Sequence, residues 1–266
     1  MLFAQKGFPL SVDDFSAATK TIAITDAAMW AVIEVETAGV GFLESRKPII
    51  LFERHKFSHK TQGKWDQSHP DISNPQWGGY GPAGEHQYIR LNEALNLNED
   101  AALASASWGV GQVMGEHWQD LGYDSIQHFV GEMCASEGGQ LKAMSQFIQK
   151  NRLAAPLARG DWTDFARSYN GPAFEQNQYD LKLKQHYEKL LVGPLPDLRL
   201  RTCQLNLTYL SKSVSPTLSP GGVDGWMGRR TRSAIQAFQQ QFHLPVTGDL
   251  DDTTYAAISQ AANPAS

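Results

Sequence analysis

The sequence lacks the features that mark several classes of protein. It contains no apolar run approaching the ~20 residues of a membrane-spanning helix, and its first residues lack the basic start and apolar stretch of a signal peptide. No long basic run is present and the formal net charge is −5, which argues against a polyanion-binding role. These absences predict a product of the cytoplasm that binds neither membrane nor nucleic acid.

Cysteine is also scarce. Cys134 and Cys203 lie far apart and outside any metal-ligand spacing, so we expect two free, buried thiols. Four histidines fall within one region: His55, His59, His69 and His86. Their spacing matches no standard zinc pattern, and we expect neither a metal nor a cofactor.

Strand signals are few, whereas helical patterns dominate the first 190 or so residues. Helices are predicted over 27–38, from 91–95 onward, and over 126–151, 162–168 and 177–191. Ser11 and Thr25 resemble helix starts, and "PIILF" (48–52) is the best strand. A loop over 58–84 is rich in glycine, proline and serine, and long ordered loops are more often functional than idle. The predicted fold class is mainly α with a small β element.

The stretch "LLVGPLPDLRLR" (190–201) reads as a linker because it combines a glycine with two prolines. We therefore predict a first domain over 1–192, a linker over 193–199 and a second domain over 200–266. In the second domain, Leu200, Cys203 and Leu207 recur at helical spacing, and two further amphipathic patterns follow. This domain is predicted to be a three-helix module.

Two carboxylates stand in the apolar run "AVIEVETAGVGF". On a helix, Glu36 shares a face with apolar residues and lies next to the glycines that end the run, whereas Glu34 points the opposite way. Burial raises the pKa of a carboxyl group, as a general acid requires. Glu36 is thus a candidate acid. The alternative is a structural carboxylate, either capped by hydrogen bonds or paired with an arginine such as Arg54 or Arg90. Glu34 is interpreted as the structural partner of a nearby base.

Two further motifs carry candidate binding residues. In "SASWGVGQVMG" (105–115), Gln112 offers an amide and Trp108 an apolar face to a sugar, although a packed helix–loop corner explains the motif equally well. In "FARSYNGP" (165–172), the Asn–Gly pair is a common turn signal. Tyr169 and Asn170 are nevertheless suited to bind a hydroxyl and an acetamido group of a substrate.

These motifs occur in an order that resembles the lysozyme superfamily. Taken together, "IEVETAGVGFL", "KPIILFERHKFSHKT", "HPDISN", "GGYG", "SWGVGQVMG", "DWTDFARSYNGP" and "YDLKL" resemble the N-acetylmuramidase domain of modular phage endolysins over nearly all of residues 7–190. The resemblance implies a lysozyme-like catalytic domain and carries Glu36 over as the catalytic acid. The expected substrate contacts are Phe52, Ser107, Trp108, Gln112, Tyr169 and Asn170.

The second domain is similar to the three-helix peptidoglycan-binding module of many cell-wall hydrolases. The similarity rests on "GGVDGWMGRRTRSAIQAFQQQFHLPVTGDLDDTTYAAI" (221–258), in which most matching positions are core or turn residues. The expected binding surface is a shallow groove at the "VDGWMG" turn, formed by Asp224, Gly225 and Trp226.

The resemblance implies a monomeric muramidase that cleaves the β-1,4 bond between N-acetylmuramic acid and N-acetylglucosamine in peptidoglycan glycan strands. A lytic transglycosylase and a non-catalytic wall-binding protein remain as alternatives. A second carboxylate is uncertain: Glu53 either positions water or braces the site through a salt bridge with Arg54 or Arg90, and Asp66 and Asp71 are weaker candidates. The implied setting is a host cytoplasm before release onto periplasmic peptidoglycan, as for a phage endolysin or a bacterial effector.

Overall fold

The structure, a computed structural model, describes residues 3–37, 39–171 and 174–263. Within that part, the first ten helices are α1 (Val12–Ile22), α2 (Asp26–Thr37), α3 (Arg54–Lys60), α4 (Glu85–Leu97), α5 (Glu99–Ala104), α6 (Ile126–Ala135), α7 (Glu137–Lys150), α8 (Ala154–Arg159), α9 (Trp162–Tyr169) and α10 (Tyr179–Val192). A small antiparallel sheet has the order β1 (Ile50–Phe52), β2 (Ala106–Trp108), β3 (Val113–Met114). The predicted mainly α fold with one small β element is confirmed.

The helix starts follow from local capping. Ser11 forms a reciprocal capping box with Asp14 at the start of α1. Thr25 accepts a hydrogen bond from the Ala28 amide (3.2 Å), which caps α2. From Ala27 to Ile33 every residue of α2 is buried, and a helix that is apolar on all sides is a core helix. α2 packs against α10, and α1 packs against α7.

The single helix predicted over 126–151 is wrong. The structure has two helices, α6 and α7, separated at Ser136, whose backbone is extended. Its side chain accepts a hydrogen bond from the Gly139 amide (3.0 Å) and so caps α7. Phe8 forms a parallel bridge with Ser136, and this tertiary contact competes with a continuous helix.

The long loop between α3 and α4 is held mainly by two arginine side chains, which donate hydrogen bonds to backbone carbonyl groups of the loop. Arg54 Nε donates to Gly78 O (3.0 Å), and Arg90 Nη1 donates to Tyr80 O (2.7 Å). Within the loop, Asp66 accepts hydrogen bonds from two serine hydroxyl groups. These bonds give the loop a defined path beside β1.

The last part of the described chain contains α11 (Leu198–Ser213), α12 (Arg229–Gln241) and α13 (Asp252–Ala261). They pack around their own apolar cluster, which includes Cys203, Leu207, Ile235 and Phe238, as predicted for a three-helix module. Leu198 and Arg199 were expected in the linker, but the side chain of Asp197 caps α11, so both are helical.

The module also packs directly against the first part of the chain. Phe42 forms a separate buried cluster with Leu205 and Tyr209 of α11. Tyr209 donates a hydrogen bond to Gly7 O (2.8 Å), and the Arg46 guanidinium lies 4.0 Å from the Tyr209 ring centroid. The predicted free thiols Cys134 and Cys203 are both buried. Among the described residues, no helix is both long enough and apolar enough to cross a membrane.

Candidate active site

Glu36 lies in the last turn of α2 and its side chain is half-buried. The helix ends at Thr37. In the turn beyond it, the Gly39 amide donates to Ile33 O (3.3 Å), and the positive φ of 90° at Gly39 favours glycine. Neighbouring Thr37 donates through its hydroxyl group to Val110 O (3.3 Å). The end of α2 is thereby joined to the turn between β2 and β3.

Glu34 lies on a different face of α2, as predicted. Its Oε2 atom is 2.6 Å from Nδ1 of His186 on α10. The interpretation of Glu34 as the partner of a nearby base is therefore confirmed, the base being a histidine. Glu34 therefore fastens α2 to α10 and does not contact the groups around Glu36.

Asn170 follows α9 and contacts Glu36 directly. Its Nδ2 atom donates to Glu36 Oε1 at 2.9 Å, whereas Arg54 and Arg90 bind carbonyl groups of the long loop. The alternative of a Glu36–arginine pair is therefore wrong, whereas the hydrogen bond that the other alternative required is present. Asn170 Oδ1 lies beside the carboxyl group and is buried without a hydrogen-bond partner among the described residues.

Two tyrosines also lie near Glu36. Tyr169 donates its hydroxyl hydrogen to Gly111 O (2.7 Å) and stacks on Phe165 (centroids 5.1 Å apart). Burial, and secondarily the negative charge of Glu36, raise the pKa of Tyr169 and also that of Tyr179. Tyr169 is thus engaged with the β2–β3 turn, and Tyr179 is a neighbour that the sequence did not single out beyond its motif "YDLKL".

The electrostatics of Glu36 are those of an acid. Burial disfavours its charged form and raises its pKa from 4.5 to about 7, although the hydrogen bond from Asn170 lowers it in part. A carboxyl group with such a pKa is substantially protonated at neutral pH and loses its proton readily, which matches the requirement for general acid catalysis.

Phe52 and Trp108 were expected to contact substrate, and the structure corrects this. Both side chains are fully buried (0% exposed). Trp108 Nε1 donates to Leu103 O (3.2 Å), and the Phe52 ring lies 6.0 Å from that of Phe57, centroid to centroid. Neither ring offers a face to a sugar because both belong to the core around the sheet.

Ser107 and Gln112 were likewise expected to bind substrate. Ser107 Oγ donates to Gln112 Oε1 (2.8 Å), and Gln112 Nε2 donates to Gly109 O (2.8 Å) and Ile49 O (3.2 Å). Gln112 also adopts a positive φ of 47°. Its amide is therefore used to close the β2–β3 turn, and the expectation that Gln112 offers this amide to a sugar is wrong.

Glu53 follows β1 and is mostly buried, with 16% of its side chain exposed. It accepts a hydrogen bond from Tyr80 in the long loop and lies 3.5 Å from His55 Nε2. Burial raises the pKa of Glu53. The predicted salt bridge with Arg54 or Arg90 is wrong, because both guanidinium groups are taken up by loop carbonyls.

A buried ion pair that the sequence analysis missed joins the two parts of the chain. Arg201 of α11 and Glu137 of α7 are both fully buried and lie 2.6 Å apart (Nη1 to Oε2). The only sequence signal for such a pair is a charged residue at a core position of each helix pattern. No group of three or more metal-ligating side chains occurs among the described residues.

The "VDGWMG" turn of the C-terminal module is organised by a buried glutamine. Gln204 Oε1 accepts hydrogen bonds from the amides of Asp224 (3.0 Å) and Gly225 (2.7 Å), and its Nε2 donates to Asp224 Oδ1 (2.9 Å). Gly225 has a φ of 75° and a Cβ there would meet Pro196. Asp224 is exposed and Trp226 half-buried, so these two remain accessible.

Comparisons with known proteins agree with this arrangement. A family model described as N-acetylmuramidase matches residues 25–191, which is more than half of the chain. The chain belongs to the N-acetylmuramidase family. A second model, described as a putative peptidoglycan binding domain, matches residues 200–258 of this muramidase.

One solved structure supports the same assignment. The muramidase is similar to the crystal structure of a Burkholderia AP3 phage endolysin, with 36% identity over 68% of this chain and 70% of that chain, and a TM-score of 0.62. No curated protein matches. The protein is thus a lysozyme-like glycoside hydrolase with peptidoglycan as its substrate, joined to a peptidoglycan-binding module.

Proposed function

We propose that Glu36 is the general acid of this muramidase, donating its proton to the oxygen of the β-1,4 bond between N-acetylmuramic acid and N-acetylglucosamine. The observation that carries the proposal is the environment of Glu36: a half-buried carboxyl group at a helix end, with a pKa raised to about 7 by burial. Breaking a glycosidic bond requires a proton for the leaving oxygen as positive charge develops on the sugar. A protonated Glu36 supplies it.

Asn170 supports this role in two ways. Its Nδ2–H stabilises the Glu36 carboxylate that remains after proton transfer, through the 2.9 Å hydrogen bond. Its unpartnered Oδ1 can accept a hydrogen bond from the N–H of an acetamido group, a substituent that both sugars of the glycan carry. Tyr169 donates a hydrogen bond to Gly111 O and so helps to position the β2–β3 turn.

Water then attacks the sugar in the hydrolase. Glu53, held by Tyr80 and beside His55, is proposed to brace the long loop and not to act as a second catalytic carboxylate. Asp66 accepts hydrogen bonds from Ser58 and Ser73, which supports a role in bracing the loop for this residue as well.

The C-terminal module is proposed to hold the enzyme on the wall through the Asp224–Trp226 turn. The catalytic part and the module are proposed to divide at residues 193–197, before α11 begins at Leu198. We propose that the enzyme acts as a monomer. It is proposed to reside in a host cytoplasm before it is released onto the periplasmic peptidoglycan.

Two measurements test the proposal. Glu36→Gln should abolish lysis of chloroform-permeabilised Gram-negative cells, while purified sacculi still pull the variant down. Glu188→Gln, at an exposed position of α10, is the matched control and should lyse normally. Undiminished lysis by Glu36→Gln would remove this residue from the mechanism.

Mass spectrometry of the released muropeptides identifies the reaction. Reducible ends are expected from hydrolysis, in which water is the nucleophile. Ends carrying a 1,6-anhydro ring would instead identify a lytic transglycosylase, in which the muramoyl 6-hydroxyl attacks. Glu36 would serve as the acid in either case.

A further inference from the structure

Arg201 is among the largest fully buried side chains of the protein. It belongs to α11, and therefore to the segment matched by the peptidoglycan-binding model. Its guanidinium, however, points into the muramidase part. Nε donates to Gly39 O at 3.0 Å, and Nη2 donates to the same oxygen. An arginine of the wall-binding module thus holds Gly39, which lies just beyond the end of the helix of Glu36.

Glu137 completes the arrangement. Its Oε2 atom accepts from Arg201 Nη1 (2.6 Å) and its Oε1 atom from Nη2 (2.7 Å), a bidentate pair that fixes the guanidinium plane. Oε1 also accepts from the Gly41 amide (2.8 Å), and Oε2 from the Leu10 amide (2.9 Å). The pair therefore holds the segment 39–41 at both ends, by its first carbonyl and by its last amide.

The segment 39–41 is also closely packed by its neighbours. There is no room for a side chain at Gly41, where a Cβ would lie 1.9 Å from Gln140 Oε1, and little at Gly39, where a Cβ would lie 3.3 Å from Val223 O of the module. Gln140 Oε1 in turn accepts from the Val110 amide (2.8 Å), and Val110 O accepts from Thr37 (3.3 Å). The last turn of α2 is thus held between the module, α7 and the β2–β3 turn.

We propose that Arg201 is a positioning residue of the muramidase: through Gly39 it sets the last turn of α2, so that the C-terminal module is a structural part of the catalytic site. This inference rests on the proposed role of Glu36. Arg201 donates to Gly39 and Glu137 and acts on substrate only through the helix end. The module therefore has two roles, wall binding through the 224–226 turn and support of the acid through Arg201.

The test uses the full-length chain and three variants. Arg201→Met removes every donor, and Arg201→Lys retains one that can reach Gly39 O. Arg199→Met is the matched control, because Arg199 lies on the same helix, is 42% exposed and pairs with Asp252 at the surface. Each variant is assayed for kcat and KM on soluble glycan fragments, for the pH profile of kcat/KM, and for pull-down by sacculi.

Misplacing a catalytic group by about 1 Å can cost on the order of 10²-fold in rate. Arg201→Met should therefore lower kcat by about tenfold to a hundredfold with KM little changed. It should also move the alkaline limb of the pH profile to lower pH, because a loosened helix end exposes Glu36 to water. Sacculus pull-down should persist, Arg201→Lys should recover part of kcat, and Arg199→Met should match the unmodified protein.

Arg201→Met leaves a buried, unpaired Glu137 and can fail to fold for that reason. Arg201→Met combined with Glu137→Gln removes both charges, and folding is checked by its cooperative melting. A folded single or double variant with unmodified kcat and an unmoved pH limb overturns the inference. Failure of the proposed function is distinguishable, since it would appear as lysis by Glu36→Gln whatever the Arg201 variants do.

Discussion

Replacing Glu36 with glutamine should stabilise this enzyme, and more so at alkaline than at acidic pH. In the fold, burial raises the pKa of Glu36 from 4.5 to about 7. Below pH 4.5 the carboxyl group is protonated in both the folded and unfolded states, so its titration does not change the free energy of unfolding. As the pH rises from 4.5 to 7, the unfolded state ionises first, and the free energy of unfolding falls. Above pH 7 the loss is complete. Glutamine has the same shape and no charge, and it avoids the loss.

The magnitude follows from the pKa difference. A shift from 4.5 to about 7, at about 1.4 kcal/mol per pKa unit, sets an upper limit of about 3.5 kcal/mol. Because the side chain is only half-buried, partial solvation reduces this to about 1–2 kcal/mol. For a protein of this size, ~1 kcal/mol moves the melting temperature by about 2–4 °C. Because about a quarter of the loss is already present at pH 5, the stabilisation by Glu36→Gln should be about 2–6 °C larger at pH 8 than at pH 5.

The measurement is thermal melting followed by circular dichroism at both pH values. The protein without substitution supplies the reference at each pH, so that all other titrating groups cancel. Glu188→Gln, at the exposed site on α10, should change the free energy of unfolding by less than about 0.5 kcal/mol at either pH. An equal effect of Glu36→Gln at pH 5 and pH 8 would refute a desolvated Glu36, and with it the acid that the mechanism requires.

Three further predictions concern other side chains. Asn170→Ala should move the alkaline limb of the kcat/KM profile to higher pH by about 0.5–1 unit, because it removes a donor that stabilises the Glu36 carboxylate. Asn151→Ala, which loses a hydrogen bond to its own helix, is the control, and an unmoved limb in Asn170→Ala would contradict the prediction. Trp108→Ala should lower the free energy of unfolding by about 3–5 kcal/mol in urea titrations; a raised KM with unchanged stability would instead restore its role as a sugar contact. Trp226→Ala should weaken sacculus pull-down without slowing cleavage of soluble fragments, and equal retention by sacculi would exclude Trp226 from the binding surface.

Helix periodicity and capping residues predicted much of the architecture. The helices containing Glu36, Trp162 and Tyr179 start or end within a few residues of their predicted limits, because apolar spacing and caps act locally. The exception is the break at Ser136, where the Ser136 side chain caps α7 and Phe8, distant in sequence, bridges to Ser136. The apolar periodicity on either side of such a break gives little sign of it.

The candidate site was only partly predictable, for a related reason. Trp108, with small and polar neighbours, has the composition of a sugar platform, yet it is fully buried with its Nε1 bound to Leu103 O. Gln112 is polar and near the site, yet its amide closes a turn. Sequence gives the chemical capacity of such side chains, whereas their orientation depends on neighbours that the chain brings from elsewhere.

The sequence by itself determined the helical class, the three-helix module and the choice of Glu36 over Glu34, since the spacing along one helix separates their faces. Only the tertiary structure decided which group contacts Glu36 and what supports the helix end that carries it. Asn170 reaches Glu36 across 134 positions, and Arg201 reaches Gly39 across 162. These contacts depend on how α9 and α11 pack against the end of α2, and no local pattern encodes that packing.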